Sequence, residues 1–128
     1  MIEFELRARD LERESRANPS VLTCEELLGL MVDETWSVRM HVCRMLPRVE
    51  WTPDQYPQVR DYAFEQSSNE NAFVRAWALD ALASFVCRDE SIRERVLAMI
   101  SKALESGPAS VRVRAREGLK RLGKIDGI

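Results

Sequence analysis

Apolar residues recur in three segments of the chain with the spacing of one helix face. The segments are DETWSVRMHVCRMLPRV (33–49), NENAFVRAWALDALASFV (69–86) and SGPASVRVRAREGLKRL (106–122). Each contains Val-Arg at the same place, and the pairs begin at Val38, Val74 and Val111, which are 36 and 37 residues apart. Apolar positions follow each valine at four, eight and eleven residues, as in an amphipathic helix. They are Val42, Leu46 and Val49, then Ala78, Leu82 and Phe85, then Ala115, Leu119 and Leu122.

A further helix is predicted ahead of each of these segments, because a capping residue precedes another apolar stripe. The caps are Thr23, Thr52 and Ser91, each with Glu or Gln three residues later. Pro57 follows the second cap closely, so an irregular helix start is expected there. Pro47 is expected to end or kink the first repeated helix, and Gly107 to end the helix before the last one.

The predicted order is a helix pair repeated three times, and no strand is predicted. Residues 1–18 are interpreted as a partly exposed capping segment, followed by repeats at 20–50, 52–86 and 89–122 in a single domain covering 1–128. A helix pair cannot bury its apolar face alone, so such pairs stack on one another around a continuous core. The predicted fold class is all-α: an α-α superhelix, or solenoid, of about three helix pairs.

The second helix of each pair resembles that of the HEAT-repeat family, which opens with an acid and then Val-Arg, followed by small and apolar positions. The resemblance covers residues 20–122. It implies that the second helices line a concave face and that an acid and the arginine form a ladder between repeats. The acid position holds Asp33, Asn69 and Ser106, so only the first rung could carry both charges.

Composition and motifs indicate a non-catalytic protein. The chain has 128 residues and a net charge of −2, and it contains no nucleotide-binding, hydrolase or zinc motif, so no cofactor and no metal are predicted. Three cysteines without a disulfide pattern and no export signal indicate a cytoplasmic protein, with Cys43 and Cys87 expected as small buried residues. No apolar run approaches the roughly 20 residues of a membrane span.

A row of side chains one or two positions before residues of the core stripe is the candidate binding surface. It comprises His41, Arg44, Trp77, Asp80, Arg114 and Arg121. Position matching places His41, Trp77 and Arg114 level with one another. Because Trp and Arg dominate binding hot spots, the row predicts a protein or peptide partner. Whether Trp77 is exposed or packs between repeats is left open, and packing is favoured for Trp36 and Phe73.

Two functions are compatible with these residues. The first is a monomeric interaction module that binds another protein through its concave face. The alternative resembles HEAT-like DNA glycosylases, which remove alkylated bases using tryptophans, an acid and arginines. The counterparts by residue type are Trp36, Trp77, Asp80, Arg39 and Arg75.

Nucleic acid is a possible but not a favoured partner. The chain from Gly107 onward has six basic and two acidic residues, and Lys124 and Asp126 are among them. These basic residues are spread around the helix, whereas binding phosphates requires clustered cations. Residues 50–106 are acidic overall and would repel DNA.

Overall fold

A computed structural model describes the backbone of residues 2–125 and the side chains of residues 3–123. Within this range the chain forms seven α-helices and no strand. The helices are α1 (Ile2–Ala17), α2 (Cys24–Leu30), α3 (Trp36–Met45), α4 (Tyr56–Gln66), α5 (Ala72–Phe85), α6 (Arg93–Ser106) and α7 (Ala109–Ile125). Short 3-10 turns occur at Pro19–Val21, Leu46–Arg48 and Glu90–Ile92. The prediction of an all-α fold is confirmed. Lys124 and Asp126, part of the predicted basic end, lie outside the described side chains.

Several predicted helix boundaries are confirmed by the caps. The Thr23 side chain accepts a hydrogen bond from the Glu26 backbone N–H at the start of α2. The α3 helix ends before Pro47, and α6 ends at Gly107. Thr52 and Gln55 form the reciprocal bonds of a capping box, but within a turn ahead of α4.

The prediction that Ser91 caps a helix is wrong. The α6 helix begins two residues later, at Arg93. The Asp89 carboxylate accepts the backbone N–H of Ser91, so Asp89 is the cap of the preceding 3-10 turn. Local hydrogen bonding of this kind competes with the capping box for the same backbone group.

The helices form one packed unit in which every second helix is a neighbour. The α3 helix packs on α1 and on α5, and α5 packs in turn on α7. Each of α2, α4 and α6 packs against the helix that follows it. One cluster of buried apolar side chains runs through these contacts, from Leu11 in α1 to Leu122 in α7. The α5 helix is the centre of this arrangement, because it has packed helices on several sides and buries most of its side chains.

The inward face of α7 differs from the prediction at one position. Val111, Ala115 and Leu122 are buried as expected, but Leu119 is 45% exposed. Gly118 takes its place: a Cβ atom built there would lie 3.1 Å from the Ala83 Cβ atom of α5. The absence of a side chain therefore allows α7 to approach α5 closely, and Leu119, one residue later, is turned outward.

Of the two cysteines predicted to be buried, only one is buried. Cys43 is buried in the core as expected, and burial raises the pKa of its thiol to about 12. Cys87 is exposed. It follows the end of α5 at Phe85 and therefore lies in the connecting turn, beyond the helical stripe that would have buried it.

The arginine of each Val-Arg pair makes the same kind of contact in all three units. Arg39 donates to the backbone carbonyl of Asp33, Arg75 to those of Asn69 and Glu70, and Arg112 to that of Gly107. Each bond joins the first turn of a helix to the loop just before it.

This arrangement replaces the expected charged rung. The Asp33 carboxylate accepts the backbone N–H of Thr35, and the guanidinium group of Arg39 binds the carbonyl of Asp33 instead. A carbonyl acceptor is available whatever the side chain, which explains how the contact persists where the acid is replaced by Asn69.

At two equivalent places in the fold, a helix meets the first turns of the helix immediately before it in the chain. In the first junction α4 meets α3, and in the second junction α6 meets α5. In the first junction Gln66 is 1% exposed, and its Oε1 atom accepts hydrogen bonds from Arg39 at 3.3 Å and from Asn69 at 3.0 Å. The Gln66 side chain therefore fills the space beside Arg39.

Candidate functional site

An ion-pair cluster at the start of the candidate surface joins α1 to α3. The Glu12 carboxylate of α1 is almost fully buried, with 6% of its side chain exposed. His41 Nδ1 lies 2.6 Å from Glu12 Oε1, and Arg44 Nε lies 2.7 Å from Oε2. Arg16 lies 3.5 Å from the same oxygen. Two side chains of the predicted surface therefore share one acid.

The Glu12 carboxylate is held in its charged form by these neighbours. Burial alone raises the pKa of a carboxyl group, since it penalises the charge. The hydrogen bond with His41 and the positive charges of Arg44 and Arg16 together outweigh burial, so that the pKa of Glu12 is lowered from its usual value of 4.5.

Trp77 occupies the middle of the surface and contacts both neighbouring helices. The guanidinium carbon of Arg44, from α3, lies 4.7 Å from the centre of the indole ring, and that of Arg114, from α7, lies 4.6 Å from it. The ring is partly buried and packs against the edge of the core. Trp77 thus combines the two readings left open by the sequence, because it packs between helices and keeps part of its surface exposed. Cation–π contacts at such partly exposed sites contribute roughly 0.5–1 kcal/mol each.

A second ion-pair cluster joins α5 to α7. Arg121 Nη2 lies 2.7 Å from Asp80 Oδ1, and Arg114 Nη1 lies 3.8 Å from the same oxygen. The Nη1 group of Arg121 also donates to the Asp80 backbone carbonyl and to the Ser84 hydroxyl. Asp80 keeps 11% of its side chain exposed, so its carboxylate is largely occupied by its two arginine partners.

These contacts form one continuous surface feature, here called the cross-helix row. The row consists of Glu12, His41, Arg44, Trp77, Asp80, Arg114 and Arg121. It includes all six residues predicted as the candidate surface. One predicted detail differs: the α3 residue beside Trp77 is Arg44, whereas His41 is turned toward Glu12.

Glu12 is the residue that sequence reasoning missed. It lies in the leading segment, which has no counterpart in the repeats and was therefore not matched by position. A local signal was present, because Ala8, Leu11 and Ser15 follow a helical stripe and are buried. Glu12 directly follows Leu11 on the same face of α1, where an acid is rarely buried without a charged partner.

The other aromatic candidates lie at the start of the same helices. Trp36 and Phe73 were expected to pack between repeats, but they are 48% and 51% exposed. Their rings stack on each other with centroids 6.4 Å apart. Each stands in the first turn of its helix, α3 or α5, where it reaches its neighbour but lies beyond the buried core.

Comparisons with known proteins give no match to a family model, a curated protein or a solved structure. In the described part of the chain, no three His, Cys, Asp or Glu side chains are grouped as a metal site would require. None of the described helices has the length and apolar character needed to cross a membrane.

Proposed function

We propose that this chain is a small HEAT-like solenoid that binds an acidic segment of a protein partner through the cross-helix row. The observation that supports this most directly is the position of Trp77, partly exposed and in contact with arginines from two neighbouring helices. Trp and Arg side chains contribute most to binding hot spots. Fixing them in place before binding lowers the entropy cost of association.

The sign of the exposed charge favours an acidic partner. The acids of the row are nearly buried, with 6% of the Glu12 side chain and 11% of the Asp80 side chain exposed. The arginines that bind them are more open, at 30% for Arg44, 25% for Arg114 and 36% for Arg121. A partner approaching the row therefore meets guanidinium groups and an indole ring, and an acidic segment complements both.

The solenoid part of the proposal is supported by recurring contacts within the chain. Each helix pair packs internally, the second helices pack in chain order, and every Val-Arg arginine binds the loop before its own helix. These are the features of a nearest-neighbour array, in which each unit contacts mainly the next.

The test is a quantitative pull-down from the native host with matched variants. In the test variant, Arg44→Gln is combined with Arg114→Gln; in the control, Arg88→Gln is combined with Arg116→Gln. Both remove two positive charges, but Arg88 and Arg116 are exposed residues outside the row. The partner should be depleted at least about tenfold with the test variant and retained with the control. Equal recovery with both variants would contradict the proposal, provided that circular dichroism shows both to be folded.

A glycosylase of the HEAT-like kind requires an acid that is available to its substrate. Asp80 is already engaged by Arg121 and Arg114, and we therefore propose binding rather than catalysis. Excision of an alkylated base from duplex DNA by the wild-type chain, with loss of that activity in Asp80→Asn, would overturn this choice.

A further inference from the structure

A pocket of about 470 Å³ lies in the second junction, where α6 meets α5. Three cationic side chains line it: Arg75 of α5, together with Arg95 and Lys102 of α6. Apolar contact surface comes from Phe64, Leu79 and Met99. Its volume lies in the range of about 300–1,000 Å³ that is usual for sites binding small molecules.

The pocket exists because a small residue replaces a large one. The inward-facing positions of α4 and α6 correspond at an offset of 37 residues, so that the buried Val59 matches the buried Val96, and the buried Gln66 matches the partly buried Ala103. In the first junction the long side chain of Gln66 fills the space beside Arg39. In the second junction Ala103 has a single methyl group, and the equivalent space beside Arg75 is part of the pocket.

The same substitution pattern changes the charge of the site. At the offset of 37 residues, Arg95 stands where α4 has Gln58, and Lys102 stands where α4 has Glu65. The second junction has thus exchanged a neutral residue and an acid for two cations.

No carboxylate neutralises these cations within the described side chains. No described Asp or Glu side chain forms an ion pair with Arg75, Arg95 or Lys102. The Nη1 group of Arg75 is bound to two backbone carbonyls, and the guanidinium carbon of Arg95 lies 3.8 Å from the centre of the Phe64 ring. Arg75 and Arg95 are thereby held in position at the pocket by neutral partners.

We propose that the second junction binds a small organic anion, with a carboxylate or phosphate group among the three cations and an apolar portion against Phe64, Leu79 and Met99. Guanidinium groups match both kinds of anion geometrically, and a lysine adds a point charge. An anion would also offset the mutual repulsion of three cations around one pocket.

The site is separate from the cross-helix row and goes beyond the proposed function. Arg75 and Leu79 line the pocket, whereas Trp77 and Asp80 belong to the row. At 100° of rotation per residue, these two pairs are centred about 150° apart on α5. One helix therefore presents its two sides to two different sites, and a ligand in the pocket does not occupy the row.

The experiment uses phenyl phosphate and phenylacetate as probes of the full chain, followed by isothermal titration and by amide chemical shifts. Benzyl alcohol keeps the ring without the charge, and inorganic phosphate keeps a charge without the ring. We expect at least one of the two aromatic anions to bind and to shift the resonances of residues that line the pocket. Both single-feature probes should bind at least about tenfold more weakly, because each lacks one of the two complementary groups.

Two variants and a control connect binding to the pocket. Ala103→Gln installs the side chain that fills the first junction, and Lys102→Glu installs the acid of the matching position in α4. Each should weaken binding at least about tenfold. The exposed Arg116 lies outside the pocket lining, so Arg116→Gln should leave binding unchanged. Because Lys102 is exposed, its substitution tests the site even where Ala103→Gln disturbs packing.

Three results would overturn the proposal. The first is that neither aromatic anion binds at concentrations up to about 10 mM, a range that corresponds to very weak affinity. The second is that benzyl alcohol or inorganic phosphate binds as tightly as the aromatic anions. The third is that Arg116→Gln weakens binding as much as Lys102→Glu, which would indicate a general charge effect. None of these results bears on the pull-down with the Arg44 and Arg114 variant.

Discussion

In the first junction the side chain of Gln66 reaches Arg39 and closes the space between α3 and α4, whereas in the second junction Ala103 leaves Arg75 facing an open pocket. The two places occupy equivalent positions in the helix pairs. The long side chain of Gln66 accompanies a filled contact, and the short one of Ala103 accompanies a cavity. Filling the first junction with Gln66 also has an energetic cost, since the buried Gln66 Nε2 atom has no hydrogen-bond partner among the described residues.

The largest expected effect is on the filled junction. Gln66→Ala removes the acceptor of Arg39 and Asn69 and leaves a cavity, so we expect a loss of about 3 kcal/mol in the free energy of unfolding. Urea unfolding followed by circular dichroism measures it. The reciprocal change, Ala103→Gln, adds a side chain to existing space and should alter stability by less than about 1 kcal/mol. Equal losses for both variants would show that the two junctions are packed alike.

A second experiment tests whether both ends of the cross-helix row stabilise the fold. The ion pairs of the cross-helix row join α1 to α3 at Glu12 and α5 to α7 at Asp80. Glu12→Gln and Asp80→Asn should each lower the free energy of unfolding at pH 7 by roughly 2 kcal/mol, because each leaves arginines without their charged partner. A much smaller effect at one end would show that the ion pairs there contribute little to stability.

The stability effect of Glu12→Gln should depend on pH. The pKa of Glu12 is lowered in the folded chain, so its stabilising contribution is complete above the ordinary value of 4.5 and is lost as the pH falls below it. The wild type should therefore lose more stability than Glu12→Gln between pH 6 and pH 3.5. Parallel urea-unfolding series at the two pH values give the comparison.

A third prediction compares the two arginines directly. Arg39 binds a loop carbonyl and Gln66, whereas Arg75 binds only loop carbonyls in the described part of the chain. Each arginine donates two hydrogen bonds, but only Arg39 has a buried side-chain acceptor, so Arg39→Ala should cost about 1 kcal/mol more than Arg75→Ala because it removes a donor from the buried Gln66 amide. Thermal or urea unfolding of the two variants measures the difference, and a larger cost at Arg75 would contradict the comparison.

The smallest effect is expected at Tyr62, which is buried in α4 one turn before Gln66. Its hydroxyl group has no hydrogen-bond partner among the described residues, and burial raises its pKa well above the usual value. Removing a buried polar group that lacks a partner relieves a desolvation cost. Tyr62→Phe should therefore leave the free energy of unfolding unchanged or raise it by up to about 1 kcal/mol. A loss of stability would indicate that the hydroxyl group is solvated or bonded in solution.

The sequence predicted the repeated helices and six of the seven residues of the cross-helix row, because both depend on periodicity. Val38, Val74 and Val111 begin stripes that repeat at nearly constant spacing, and the residues one or two positions before the stripe residues share a face. The burial of Leu119 and Cys87 was predicted wrongly. An apolar stripe in the sequence shows neither the close helix approach that Gly118 permits nor the end of α5 at Phe85.

The pocket and the partners of Glu12 could not be predicted in the same way. Both depend on which side chains meet across helices that are distant in the sequence. Ala103 and Gln66 are equally compatible with a buried helix face, and only the packed structure distinguishes a methyl group beside a cavity from an amide that fills it.

The loop contacts of Arg39, Arg75 and Arg112 have a consequence for how this chain could grow. Each arginine restrains the turn of its own helix pair and takes its acceptor from five or six residues away. A duplicated pair would thus bring its restraint with it and would need from its neighbours an apolar face and a partner for Asp80. Tandem copying of residues 52–86 should accordingly yield a longer folded chain, and a larger slope of unfolding free energy against urea would measure the added unit.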